Sequence, residues 1–157
     1  MERKDIISAI KDKFPKRIKK LFEKSTRRVY IDIDPKDLTD FVEFIFNGQD
    51  ARFCTASCVD MRNGMEILYH FSFANMSLVV SLRVYLDKNN LSIDSITPIM
   101  KGAEWIEREI HELFGVDFKN HPNLIKLLLP DNWPEGLYPL RRDYKEEDYK
   151  ARVKEEE

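Results

Sequence analysis

At 157 residues, with 43% apolar and 34% charged side chains, the sequence suits one globular domain with a real core and argues against disorder. A formal net charge of −2 gives no global attraction to nucleic acid. No apolar run reaches the length of about 18 residues that a membrane-spanning helix needs, and the start, MERKDIISAIKDKF, has no hydrophobic signal core. With two cysteines and no export signal, a reducing cytoplasm is the expected setting.

In chain order, Ile6, Ile7, Ile10 and Phe14 have helical spacing up to Pro15, and Ile18, Leu21 and Phe22 suggest a second short helical piece. RRVYIDID alternates, placing Val29, Ile31 and Ile33 on one face of a strand. Asp34 is a good N-cap with Pro35 in the first helical position, and Leu38, Phe41, Val42 and Ile45 make one helical stripe that Asn47-Gly48 stops. ARFCTASCVD reads as a strand, Arg62-Asn63-Gly64 as a turn, and MEILYHFSF as a strand with Met65, Ile67, Tyr69, Phe71 and Phe73 inward. ANMS turns the chain again, and LVVSLRVYL answers with Leu78, Val80, Leu82, Val84 and Leu86. The short links predict antiparallel neighbours. LSIDSI suggests a short strand, and GAEWIEREIHELFG a helix with Trp105, Ile106, Ile110, Leu113 and Phe114 as its apolar face and Gly115 as its stop.

This order predicts an α+β fold in two layers: a mostly antiparallel or mixed sheet of four to five strands with helices packed on it, plus an extended C-terminal arm. The expected divisions are an α+β domain over 1–120, a partner-binding arm over 121–144 and a charged mobile tail over 145–157.

Motifs for chemistry are scarce. Cys54 and Cys58, four apart on a straight strand, lie about 13 Å from each other at about 3.3 Å per residue, too far for a disulfide or shared metal; they read as buried thiols. His111-Glu112 opens HELFG, but Gly115 stands where a zinc-peptidase helix needs its second histidine. No phosphate-binding glycine loop or GxSxG elbow occurs. Glu104, Arg108 and Glu112 form an i, i+4 ladder that reads as a solvated face, or else as part of an acid/base pair or docking site. His70 falls opposite its strand's apolar side, at the surface or under a partner. Arg141 and Arg142 are either solvated charge or two guanidinium forks set against carboxylates of another chain.

The segment HPNLIKLLLPDNWPEGLYPLRRDY, residues 121–144, is rich in large apolar side chains and broken by Pro122, Pro130, Pro134 and Pro139. Proline blocks a long helix, and the apolar groups need cover. LIKLLLP is expected to fold back on the domain, and WPEGLYPLRRDY to reach a second protein with Trp133 and Tyr138 as anchors.

The set Trp105, Glu107-Arg108-Glu109, Leu113-Phe114-Gly115, Phe118, His121-Pro122, Leu129-Pro130, Trp133 and Pro139-Leu140-Arg141-Arg142-Asp143-Tyr144 resembles the hydrophilic C-subunit family of respiratory complex I, the NADH-quinone oxidoreductase. The same module occurs in membrane-bound NiFe hydrogenases and formate hydrogenlyases, and the resemblance covers residues 4–144. Where basic residues are usual at both 125 and 126, the sequence has Ile125 and Lys126, and at Asn120 it departs from the common glycine.

The resemblance implies a non-catalytic scaffold subunit that holds no cofactor, catalytic residue or metal of its own, in a complex that carries iron–sulfur clusters. Its implied partners are the large quinone-site or NiFe-site subunit and the small iron–sulfur subunits, on the cytoplasmic side of the membrane and touching the membrane only indirectly. The implied interface comprises Glu107, Arg108, Glu109, His121, Pro122, Trp133, Tyr138, Pro139, Leu140, Arg141, Arg142, Asp143 and Tyr144. Two other readings remain: a small enzyme using Glu107, Glu109 and His121, and an adaptor for a soluble partner.

Overall fold

The computed structural model describes residues 3–155. Residues 1, 2, 156 and 157, which belong to the expected first domain and tail, lie outside the described residues.

Five strands form one mixed sheet: β1 (Ile18–Ser25), β2 (Arg28–Ile33), β3 (Arg52–Met61), β4 (Gly64–Phe73) and β5 (Leu78–Asp87), in spatial order β1-β2-β5-β4-β3. The β3–β4 and β4–β5 pairs are antiparallel, as short links require. The β2–β5 pair is parallel, with Ile31 opposite Leu82. Between β2 and β5 the chain makes α2 (Leu38–Gln49) and the β3–β4 hairpin, so these two strands meet only after the longest excursion in the sheet.

One face of the sheet carries the core. Val29, Ile31 and Ile33 of β2, Met65 to Phe73 at every second position of β4, and Leu78 to Leu86 likewise on β5 are buried. Ile6, Ile7 and Ile10 of α1 (Arg3–Lys13) and Leu38, Phe41, Val42 and Ile45 of α2 belong to the same core. The opposite face bears Tyr30, Asp32, Glu66, His70 and Arg83, all half-exposed, which is the one-sided burial of a two-layer fold.

Three local expectations are corrected. Residues 18–25 form a strand, not a helical piece. Irregular pairing between Ile18 and Lys20 puts an extra residue into β1, so Ile18 and Leu21 are both half-buried at a three-residue spacing that imitates a helix. Asp34 does not cap with its side chain; it pairs with Lys19 instead. Helix α2 runs past Asn47-Gly48 to Gln49, where Asp50 closes it in the left-handed conformation with its N–H on the carbonyl of Ile45.

After β5, a short strand β6 (Ser92–Asp94) pairs in parallel with β7 (Asp117–Lys119), and α3 (Glu104–Phe114) connects them. Gly115 ends α3 at φ 75°. The charged tail is helical over α4 (Glu146–Glu155), with a Glu146–Lys150 pair at i, i+4.

Candidate interaction surface on the last long helix and its ribbon

Residues 121–144 contain no helix or strand and lie against α3. Two charged side chains of α3 hold them there. Arg108 donates through Nε to the carbonyl of Ile125 at 2.9 Å and through Nη2 to that of Lys126 at 2.6 Å. The Glu112 carboxylate accepts the amide hydrogens of Leu127, Leu128 and Leu129 at 2.9, 2.6 and 3.3 Å. A segment that prolines keep out of regular structure still has backbone groups to satisfy, and here side chains do it.

Arg108 and Glu112 are therefore buried, as is Glu107, and the solvated ladder expected for this helix is overturned. Trp105, expected on the apolar face, is 68% exposed instead. The ribbon's polar backbone draws the charged stripe inward and turns Trp105 out.

Glu107 ties the helix to the stretch after β6. Its carboxylate accepts from the Ser95 hydroxyl, from the Ile96 amide at 2.8 Å and from the Thr97 hydroxyl at 2.7 Å. Burial pushes its carboxyl above the usual carboxylate range, against the pull of those hydrogen bonds. The His121 side chain is also fully buried, with Nε2 3.8 Å from Glu107. Nε2–H donates to the carbonyl of Glu104 at 3.1 Å, while Nδ1 accepts the Asn123 amide hydrogen at 3.0 Å. That pattern is the neutral imidazole, assigned from its partners, so the contact with Glu107 is not an ion pair. Glu109 is half-exposed and is not among the partners of Glu107 or His121. The three residues of the enzyme reading are thus not assembled into one cluster, and each polar atom of the buried two already has a structural partner.

The second half of the ribbon also lies on this chain, where an arm leaving it was expected. The Leu140 amide donates to the carbonyl of Leu113 at 3.2 Å, Arg141 Nε to that of Phe114 at 2.6 Å, and the Arg142 amide to the Asp60 carboxylate at 2.8 Å. The Arg141 guanidinium sits 4.2 Å from the centre of the Tyr138 ring. Trp133 donates through Nε1–H to the carbonyl of Leu137 at 2.9 Å and stacks on Tyr149 of α4 at 4.7 Å, with Tyr144 at 6.3 Å. Pro139 is half-buried; Pro122, Asp143 and the Arg142 side chain are exposed.

What the ribbon leaves in water is apolar: Leu128 is 61% exposed, Ile125 58% and Leu140 54%. Glu112, expected first as a solvated charge and only second as part of a docking site, and Asp60, absent from the expected interface, prove to be anchors of this surface. The available signal for Glu112 was its place one turn after Arg108, on the helix just ahead of a proline-broken run with unpaired amides.

Cys54 and Cys58 are free; Cys54 is exposed, contrary to the buried reading, and Cys58 half-buried. Irregular pairing between Phe53 and Thr55 breaks the alternation that would have put both on one face. On the open sheet face, His70 bridges the hydroxyls of Ser81 at 2.8 Å and Ser57 at 3.2 Å. No group of three potential metal ligands is assembled among the described residues, and none of their helices is long and apolar enough to cross a membrane.

Residues 31–150 match the family described as respiratory-chain NADH dehydrogenase, 30 Kd subunit. The C subunit of the F(420)H(2) dehydrogenase of Methanosarcina mazei is 33% identical over 147 residues, 92% of this chain and 92% of that one. The C subunit of the NADH-quinone oxidoreductase of Citrifermentans bemidjiense is 36% identical over 121 residues, 74% of this chain and 66% of that one. A chain of the membrane-bound sulfane sulfur reductase, an archaeal respiratory membrane complex, superposes with a TM-score of 0.82 over 97% of this chain and 91% of its own. At 20% identity that likeness concerns the fold alone. The family match over most of the chain and a full-length relative agree with each other, and the chain belongs to the family of the 30 Kd subunit of the respiratory-chain NADH dehydrogenase.

Proposed function

We propose that this chain is a non-catalytic scaffold subunit, equivalent to the C subunit of NADH-quinone oxidoreductase, in a membrane-attached energy-converting oxidoreductase. It docks the large subunit that houses the quinone site or, in a hydrogenase, the NiFe site, and it helps hold the small iron–sulfur subunits. It lies peripherally on the cytoplasmic side and meets the membrane only through its partners. The observation that carries this reading is the use made of α3. Its buried charges fix a ribbon in place, and that ribbon turns Ile125, Leu128 and Leu140 to water. Holding large apolar side chains outward on a pinned scaffold is sensible only if something covers them.

The test is co-expression with the large subunit of the same complex, followed by size-exclusion chromatography. The wild-type chain should co-elute with it. Leu128→Glu and Ile125→Glu, exposed positions whose change leaves the fold intact, should weaken association at least about tenfold, as burial of an unpaired charge demands. Co-elution unaffected by both variants would overturn the reading.

A second reading concerns the electron donor. The Methanosarcina mazei relative, named for F(420)H(2), matches over nearly its whole length. This favours an assembly of that kind beside the NADH-linked and hydrogenase kinds. Assaying the purified complex with reduced F420, NADH and hydrogen separates the three.

A further inference from the structure

At the far end of the ribbon, a cleft of about 340 Å³ opens between the β3–β4 turn and residues 141–143. Arg62, Lys88, Arg141 and Arg142 line it, against the carboxylates of Asp60 and Asp143. In a chain that is negative overall, this cleft has an excess of cations over carboxylates. Several arginines and lysines elsewhere are ion-paired: Arg3 with Glu23, Arg17 with Asp37 and Asp40, Lys19 with Asp34, Arg83 with Asp32. Arg62, Lys88 and Arg142 make no ion pair among the described residues. One carboxylate oxygen of Asp60 is already engaged by the Arg142 amide.

Arg141 is the prepared member of this group. Its Nε is fixed on the Phe114 carbonyl and its plane on the Tyr138 ring. Gly115 makes room for it: a Cβ there would stand 2.5 Å from Arg141 Nη2. The two terminal nitrogens make no hydrogen bond within the described residues. A planar fork held still, with its outer N–H groups unused, is what two-point recognition of a carboxylate needs, because little side-chain freedom is left to lose on binding.

We infer that this cleft receives an acidic segment of the large partner subunit, with an aspartate or glutamate carboxylate on the Arg141 fork and further carboxylates against Arg142, Arg62 and Lys88. The inference rests on the docking role proposed above and names the chemistry of the surface that meets it. Two features favour a peptide. Asp60 and Asp143, interspersed among the cations, repel a multivalent phosphate but leave single carboxylates room to alternate with them. Exposed Leu140 directly precedes Arg141 in the chain, so the segment would cross from an apolar contact to a charged one.

The test uses the intact chain and the large subunit of its complex. Wild-type affinity should fall as ionic strength rises. The combined variant Arg62→Glu, Lys88→Glu, Arg142→Glu, changed only at exposed side chains, should bind at least tenfold more weakly, chiefly through slower association, and lose most of the salt dependence. Zero-length carbodiimide cross-linking of the wild-type complex should join Lys88 to an aspartate or glutamate of the large subunit, a readout that needs no variant to fold. If the wild-type chain binds and the variant binds equally well, with no Lys88 cross-link, the cleft inference is wrong and the docking role stands. If the wild-type chain does not bind at all, both fail. Capture of the chain by phosphatidylglycerol vesicles, abolished in the variant while affinity for the large subunit is unchanged, would overturn the peptide and assign the cleft to a phosphate headgroup.

Discussion

Oε1 of Glu112 accepts the amide hydrogen of Leu128 at 2.6 Å, and the same carboxylate takes the amides on either side of it. One carboxylate in the last turns of α3 thereby does for three consecutive ribbon residues what a neighbouring strand would do in a sheet. It leaves the Leu128 side chain facing water while its backbone is fixed.

Removing that carboxylate should release the ribbon. Glu112→Ala leaves three amides without their acceptor and should cost about 3 kcal/mol, less whatever water recovers at the exposed middle residue. Glu112→Gln keeps one oxygen and should cost about half as much. Denaturant titration measures both, and hydrogen exchange at residues 127–129 should accelerate well before global unfolding in the alanine variant. Unchanged exchange there would contradict the assigned role.

Gly115 is required by conformation and by space together. At φ 75° an alanine costs about 1–2 kcal/mol, and its Cβ would meet Arg141 and Tyr138 at 2.5 Å. Gly115→Ala should lose about 3 kcal/mol in total and loosen residues 138–142. Gly102→Ala is the control: no heavy atom lies within 4 Å of its Cβ. It should change stability by less than about 1 kcal/mol, in either direction. Equal effects from the two substitutions, in thermal melts, would refute the account.

The two thiols should differ in reactivity. Cys54 is exposed, whereas burial, then the Asp60 charge, pushes the Cys58 thiol up to about 12. At about pH 8 only about 10⁻⁴ of Cys58 is thiolate, and the thiolate is the nucleophile. Iodoacetamide followed by mass spectrometry should find Cys54 alkylated and Cys58 untouched until denaturant is added. Alkylation of both at similar rates in the native protein would contradict this placement.

Two groups tilt stability with pH in opposite senses. Burial, then the Arg28 charge, lowers the His70 pKa below 6.5. The unfolded chain takes up that proton first, so His70's contribution is present above pH 6.5 and is lost as pH falls towards its folded pKa. Burial raises the Glu107 carboxyl above 4.5, so its contribution is full below 4.5 and is lost as pH rises through the folded pKa. His70→Asn isolates one slope: the advantage of wild type over this variant should shrink from about pH 8 to about pH 5. A constant or widening gap in denaturant midpoints would show that His70 does not supply it.

Much of the fold was legible in the chain. The strict alternation of β4 and β5, the stripe of α2 and the spacing of Ile6, Ile7 and Ile10 are set by local geometry: side chains repeat every second residue on a strand and every third or fourth on a helix. The family motif around α3 and the ribbon was equally readable, since it is a matter of residue identity and order.

Tertiary structure decided the rest, because the deciding partner is distant in sequence. Ile18 and Leu21 have a spacing that suits a helix, and only the free edge of β2 makes them a bulged strand. The parallel meeting of β2 with β5 is invisible in either strand alone. On α3, amphipathic spacing put Trp105 inside and Glu112 outside; the fold reverses both, because part-buried ribbon amides need an acceptor more than an indole needs burial. Sequence by itself determined which residues wish to leave water and which elements they make. Where those elements meet, and which charged side chains must follow the backbone inward to satisfy it, was settled only by the folded chain.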